Sequence, residues 1–287
     1  MKKVEFVVEK ESTLLPLIKA NIFGAGYAFC KKVLKNKDVR VNGVRISKDM
    51  QLQTGDEVVI FYSEKDISEY KPYDIFFEDK NVLVVFKKRG IETTSEVNQN
   101  TLENVLKTQL NKELIAVHRL DTNTDGLVVF AKNKKAEDEL LMGFERGYVD
   151  KEYLALCFGT LQKSPLTLVG FLSKNAKSGL VTVSRERETK KDLPIKTVVE
   201  HVKMVQDLSL VRVRPITGRT HQIRAHLSSI GLYIVGDGKY GNAKMNNAYG
   251  YTKQCLSAVK IGFNFPPEFS LAYLNNKKLE VEPEFLK

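Results

Sequence analysis

The sequence predicts an α+β protein, with a small mixed module at the N-terminus and a larger domain built on a mixed sheet. Apolar runs of strand length, such as 81–86 and 127–131, mingle with amphipathic stretches of helical period. They do not alternate regularly, which disfavours a doubly wound parallel fold. A polar segment, SEKDISEYKP at 63–72, divides residues 1–62 from a remainder of higher apolar density and reads as a linker. A chain of 287 residues is long enough for one large domain and one small one.

Taken in order, Lys3 to Val8 alternates apolar and polar residues and predicts a strand. Leu14, Leu17 and Ile18 follow at helix spacing, and Gly24-Ala25-Gly26 breaks that helix before a second one from Tyr27 to Asn36. Val39–Val41 and Val58–Phe61 are short strands beside turn signals at Asn42-Gly43 and Gly55-Asp56. In the larger part, 81–86 predicts a buried strand. Thr101 to Leu110 predicts a helix carrying Leu102, Val105, Leu106 and Leu110 on one face. A second buried strand at 127–131 leads into a helix over Lys134–Arg146, stopped by Gly147. Strands at Glu152–Phe158 and Leu208–Arg214 precede a helix at Thr220–Ile230, which Gly231 ends.

Composition narrows the function. With 43% hydrophobic and 28% charged residues the chain is an ordinary globular protein, and no apolar run approaches the roughly 20 residues a membrane helix needs. The basic N-terminus is not followed by an apolar stretch of signal-peptide length, so the expected location is the cytoplasm, with no membrane partner. Cys30, Cys157 and Cys255 are too scattered for a disulfide framework or a zinc site, and His221 and His226 are five apart rather than four. No metal is expected. The net charge of +10 attracts polyanions, and it is concentrated: Lys31, Lys32, Lys35, Lys37, Arg40, Arg45 and Lys48 lie in one short stretch. That stretch is either a solvated face or a nucleic-acid footprint.

The chemistry-bearing segments are HRLDTNTDGL (118–127), KEY (151–153) and PITGRTHQIR (215–224), with Lys87 and Gly90 earlier. Asp121 lies on a polar loop just before an apolar strand. Such a loop can present a carboxylate to a cleft, although an aspartate there can equally cap its own turn. HRLDTNTDGL and PITGRTHQIR resemble the two signature segments of the RluA family of pseudouridine synthases, over about residues 73–287. Residues 1–62 resemble the S4 RNA-binding domain: helix, glycine turn, Lys-rich helix, then VRVNG and TGDEVVIF.

The resemblance implies a pseudouridine synthase fold with a mainly antiparallel sheet, and an RNA substrate: ribosomal RNA of the large subunit, with transfer RNA the other option. It also implies a cofactor-free isomerisation, since moving the glycosidic bond from N1 to C5 of uracil changes no oxidation state. Asp121 is then the nucleophile, attacking C1′ of the ribose or C6 of the base. An aspartate needs no activating base at neutral pH; it needs orientation and charge balance. Arg219 is the expected guanidinium partner of Asp121, and Tyr153 can stack its ring on the flipped base and accept or relay the C5 proton through its hydroxyl. Arg119 fills the space or meets the phosphates vacated by the flipped nucleotide. Lys31, Lys32, Lys35, Arg40, Arg45 and Lys87 are the further expected RNA contacts. His118, His221 and Arg224 stay open among capping, phosphate contact and core ion pairing. One cleft and one RNA-binding arm suffice for a monomer.

The chain departs from the family pattern at Lys88-Arg89, where proline often follows Lys87, and at Thr93-Thr94-Ser95 and Ser257, where histidines are frequent. A non-catalytic RNA-binding protein would explain the basic stretch equally well, but not the co-occurrence of Asp121, Tyr153 and Arg219 in their motifs. A small-molecule carbohydrate or nucleoside enzyme would not need the S4-like part.

Overall fold

The computed structural model describes residues 2–22, 24–25, 27–63, 71–96, 98, 100–174 and 179–287. Most of the expected linker at 63–72 lies outside the described residues. The chain divides into two compact units. One comprises 1–72 together with 91–112, and the other comprises 73–90 and 113–287. The excursion at 91–112 thus groups with the N-terminal unit, whereas the sequence suggested a domain at 1–62, a linker at 63–72 and one domain over 73–287.

The N-terminal unit contains β1 (Lys2–Val7), β2 (Ser12–Thr13), α1 (Leu14–Asn21), α2 (Tyr27–Lys35), β3 (Val39–Val41), β4 (Val44–Ile46), β5 (Gln51–Leu52), β6 (Glu57–Tyr62) and α3 (Leu102–Leu110). Its four-stranded sheet runs β1-β6-β3-β4, all antiparallel. Leu14, Ile18, Cys30 and Val33 from the helices pack with Val39, Val58 and Ile60 from the sheet. Burying those apolar faces is the main stabilisation open to so small a unit. The Lys-rich stretch therefore stays outside: Lys31, Lys32, Lys35 and Arg45 are exposed.

The larger unit contains β7 (Tyr73–Glu78), β8 (Val82–Lys87), β9 (Ile115–Ala116), β10 (Asp125–Ala131), α4 (Lys134–Arg146), β11 (Val149–Phe158), β12 (Leu166–Lys174) and β13 (Val181–Ser184). It continues through β14 (Leu193–Val205), β15 (Leu208–Pro215), α5 (Gln222–Ser229), β16 (Tyr233–Ile234), α6 (Ala243–Ala248), β17 (Leu256–Phe263) and β18 (Leu279–Glu280). One sheet runs β13-β12-β14-β15-β11-β17-β10-β8-β7, with β9, β16 and β18 paired at its sides. Only β10 and β17 run parallel among the described pairs. The fold is therefore α+β on a mixed, mainly antiparallel sheet, as expected.

β10 is buried along its whole length, which is why it reads as a continuous apolar run. Its entry is tight. Gly126 has φ of 119°, and a Cβ there would lie 2.3 Å from the Ala258 carbonyl oxygen of β17, so no other residue fits. α4 has the predicted bounds. The Asn133 side chain caps its N-terminus by accepting from the Ala136 N–H at 2.9 Å, and Gly147 closes it in the left-handed region. Among the described residues no helix is long and apolar enough to cross a membrane.

Candidate active site

A cleft of about 690 Å³ opens in the larger unit, between the loop before β10, the start of β11, and the turn that joins β15 to α5. The 121–124 segment closes on itself, the Thr124 N–H donating to the Asp121 carbonyl at 3.0 Å. It is stapled from beneath. The Thr122 carbonyl accepts from the Gly90 N–H at 2.8 Å and from Lys87 Nζ at 3.2 Å, and Thr124 Oγ1 accepts from Gln254 Nε2 at 2.8 Å. A loop tied at three points holds its side chains in place without help from the substrate.

Asp121 faces the cleft with its side chain 21% exposed. Its Oδ2 accepts from Arg224 Nη1 at 2.8 Å. Arg224 reaches across from the first turn of α5, and its other edge is gripped by Asp237, through Nε at 2.7 Å and Nη2 at 2.9 Å. Asp237 is in turn fixed by the N–H groups of Lys239 and Tyr240. The Tyr240 ring lies 5.0 Å from the guanidinium. Burial opposes the charge on Arg224, but Asp237 and then Asp121 outweigh it and raise its pKa. Burial likewise opposes the charge on Asp237, yet Arg224 outweighs it and holds that carboxyl below the usual range. The result is a buried carboxylate–guanidinium–carboxylate line ending at Asp121.

His221 completes this wall. It takes the left-handed conformation at φ of 56° as the N-cap of α5, and its Nδ1 lies 2.9 Å from Tyr240 Oη. Tyr240 Oη already accepts from the Val181 N–H at 2.9 Å. The arrangement that uses its one proton delivers it to His221 Nδ1 and leaves the imidazole proton on Nε2, 3.9 Å from Asp121 Oδ2. Burial lowers the pKa of His221, which favours this neutral form.

α5 begins at Gln222, two residues later than its apolar pattern suggested, and 222–227 are all buried. Polar residues inside so enclosed a helix must find partners. Gln222 accepts from Thr217 Oγ1 and the Arg219 N–H and donates to the Lys196 carbonyl, which sets the 215–220 turn. His226 Nδ1 meets Thr197 Oγ1 at 2.9 Å.

Two expectations are corrected here. Arg219 does not pair with Asp121. It lies in the turn before α5, exposed at the cleft, and Arg224, on the buried face of α5, makes the ion pair. Nor is Lys87 placed to meet RNA. Its side chain is fully buried, with Nζ donating to the carbonyls of Lys88 and Thr122, and burial lowers its pKa to about 7 against the support of Asp125 and Asp121. It supports the Asp121 loop from below.

Tyr153 lines the cleft from β11, 6% exposed. Burial, and then the charge of Asp121, push its phenol pKa up, so it stays a phenol. Arg119 is exposed at the cleft edge. His118 is half-buried at the cleft wall: its Nε2 accepts from the Val129 N–H at 3.0 Å, and burial, then Lys151, push its pKa well below the usual value. In the N-terminal unit Arg40 is half-buried with its guanidinium 5.5 Å from the Phe61 ring, and it stands directly opposite Arg45 across β3 and β4. Of the departures from the family pattern, Arg89 lies 2.6 Å from the fully buried Asp125, and Ser257 stands beside Asp125 in the parallel register.

Asp237 and Tyr240 were missed from the sequence. Their only local signal is the GDGKYG turn at 236–241, which reads as a loop until the fold brings it under Arg224. Lys151 stands in the KEY segment, to which the sequence assigned no role beyond that of Tyr153.

Residues 81–229 match a family model described as RNA pseudouridylate synthase. The chain is 32% identical over 251 residues to "Uncharacterized RNA pseudouridine synthase YlyB" of Bacillus subtilis, covering 81% of this chain and 79% of that one. It is 30% identical to "Ribosomal large subunit pseudouridine synthase C" of Haemophilus influenzae, covering 86% and 82% respectively. Among solved structures it resembles "Human RNA Pseudouridylate Synthase Domain Containing 1", with a TM-score of 0.59 at 25% identity over 73% of this chain and 82% of that one.

Proposed function

The chain belongs to the RNA pseudouridine synthase family, and we propose that Asp121 is the nucleophile with which it isomerises uridine in large-subunit ribosomal RNA. The observation that carries this reading is the 2.8 Å contact from Arg224 to Asp121 at the wall of a cleft that Tyr153 also lines. Attack at C1′ of the ribose and attack at C6 of the base both need a carboxylate of fixed direction. Arg224 supplies that direction because Asp237 grips the guanidinium from the other side. It also balances the charge before the carboxylate forms its bond and while it is released.

Tyr153 offers a ring to the flipped base and a hydroxyl that donates. Its raised pKa favours this over action as a phenolate base. Arg119 and Arg219, both exposed at the cleft, are assigned to the backbone phosphates around the extruded nucleotide. Flipping costs a few kcal/mol, which such contacts offset.

The RNA assignment rests on two supports. Several relatives carry the name ribosomal large subunit pseudouridine synthase C. The N-terminal unit also carries the sequence features of an S4 domain, with Lys31, Lys32, Lys35, Arg40 and Arg45 as its phosphate contacts. Directly opposed like charges destabilise a strand pair, so the Arg40–Arg45 pairing is better accounted for if an anion lies over it. One cleft and one basic module per chain suffice, so a monomer acting in the cytoplasm is the working unit.

Asp121→Asn tests the reading. Pseudouridine maps of ribosomal RNA are compared in cells carrying the wild-type gene, no gene, or the variant. The expected outcome is that sites lost on deletion stay lost with the variant while its melting curve matches the wild type. Sites restored by the variant would remove Asp121 from the chemistry, and sites confined to transfer RNA would overturn the ribosomal assignment.

A further inference from the structure

Lys151 is the third residue of β11, two before Tyr153, and side chains two apart on a strand share a face. Both line the cleft. The ammonium lies 4.9 Å from the centre of the Phe144 ring, and a Cβ built on Gly218 would come within 3.8 Å of it. It therefore sits between α4 and the 215–220 turn, deeper than the exposed Arg119 and Arg219.

Among the described residues no carboxylate forms an ion pair with it. The adjacent Glu152 is taken by Lys260 at 3.5 Å and Arg212 at 3.4 Å. Burial alone lowers the pKa of Lys151 to about 8. An ammonium withdrawn from water beside an aromatic face, and near the imidazole of His118, is costly, and an anion entering the cleft would offset that cost.

We propose that Lys151 is a phosphate subsite, holding a phosphodiester of the RNA strand beside the uridine that enters the cleft. The proposal rests on the reading that this cleft takes a nucleotide from RNA, and it adds a binding group that reading does not use. The chemistry suits it. A tetrahedral phosphate asks for a point charge rather than the two-pronged grip that Arg224 gives Asp121. An extruded nucleotide also carries its flanking phosphates toward the cleft. The missing side chain at Gly218 leaves that approach open.

The test uses the full-length protein and transcribed large-subunit ribosomal RNA. Affinity is measured by filter retention across roughly 50 to 200 mM salt, and pseudouridine formation is measured at saturating enzyme. Lys151→Met should lower the slope of log affinity against log salt by about 0.7, the loss of one phosphate contact. It should weaken binding roughly tenfold. Lys151→Arg should keep the wild-type slope but abolish the weakening that the wild type shows as pH rises through about 8.

An unchanged slope in a folded Lys151→Met overturns the proposal, as does a loss confined to turnover with affinity intact. If the Met variant does not fold, the pH dependence of the wild type against Lys151→Arg decides: the same decline in both overturns it. The two readings fail separately. A wild type that makes no pseudouridine removes the enzyme, whereas an active wild type with an insensitive slope removes only this subsite.

Discussion

Arg224 and Lys151 are both cations withdrawn from water on walls of the same cleft, and they have opposite surroundings. Arg224 meets Asp237 through two bonds and Asp121 through a third, and its pKa is raised. Lys151 meets an aromatic ring and, among the described residues, pairs with no carboxylate, and its pKa falls to about 8. One wall is electrostatically complete before any substrate arrives, and the other is not. A complete wall fixes the direction of a reacting group at the moment of reaction, without reorganisation. An incomplete wall keeps its charge available for a ligand.

Replacing Arg224 with Met breaks the complete wall outright and should have the largest effect. It strands Asp237, whose side chain is fully buried, so unfolding in denaturant should show a loss of about 3–5 kcal/mol. Pseudouridine formation should fall to background, because Asp121 loses its direction as well. A stable variant with intact activity would mean that the Asp237–Arg224–Asp121 line orients nothing.

Lys87 sharpens the comparison, being a third buried cation, one that supports backbone rather than substrate. Its folded pKa of about 7 lies below the unfolded lysine value, so the unfolded chain binds more protons between those two values and stability rises with pH there. The penalty of the buried charge is fully present below about pH 7 and is relieved above it. Wild-type stability should therefore climb more steeply than that of Lys87→Met, by up to about 1.4 kcal/mol per pH unit near pH 8 to 9. Parallel pH–stability curves would show that Lys87 titrates as an ordinary lysine.

The smallest effect is expected at the exposed Arg219. Arg219→Ala should leave stability within about 0.5 kcal/mol, while the salt slope for RNA binding drops by about 0.7. A stability loss of the Arg224 size would place Arg219 in the complete wall after all.

The sequence singled out the segments that line the cleft but not every contact within it. HRLDTNTDG located Asp121 on a loop before a buried strand, and KEY located Tyr153, because loop-to-strand transitions and apolar runs are local properties. The helix Lys134–Arg146 came out with its bounds because its caps, Asn133 and Gly147, lie at its own ends. Strands β12 and β14 were not anticipated. Their exposed stretches mix Val169, Val202 and Met204 with polar residues, which blurs the alternation that marks a strand. The arginine of the site was misassigned for a related reason. PITGRTHQIR offers two, five residues apart, and only the packing of α5, which buries Arg224 and leaves Arg219 in the exposed turn before it, decides which one turns inward.

The sequence by itself determined the fold class, the polar loop that carries Asp121 before a buried strand, and the basic character of the N-terminal unit, since these follow from periodicity, turn chemistry and charge read along the chain. Only the tertiary structure decided which cations are paired. Asp121 and Arg224 are 103 residues apart, and Asp237 joins them from a third segment. Lys87 was withdrawn from the RNA contacts by burial rather than by its identity. A charge's role depends on what lies within a few ångströms of it and how much water remains, and neither is a property of neighbours in sequence.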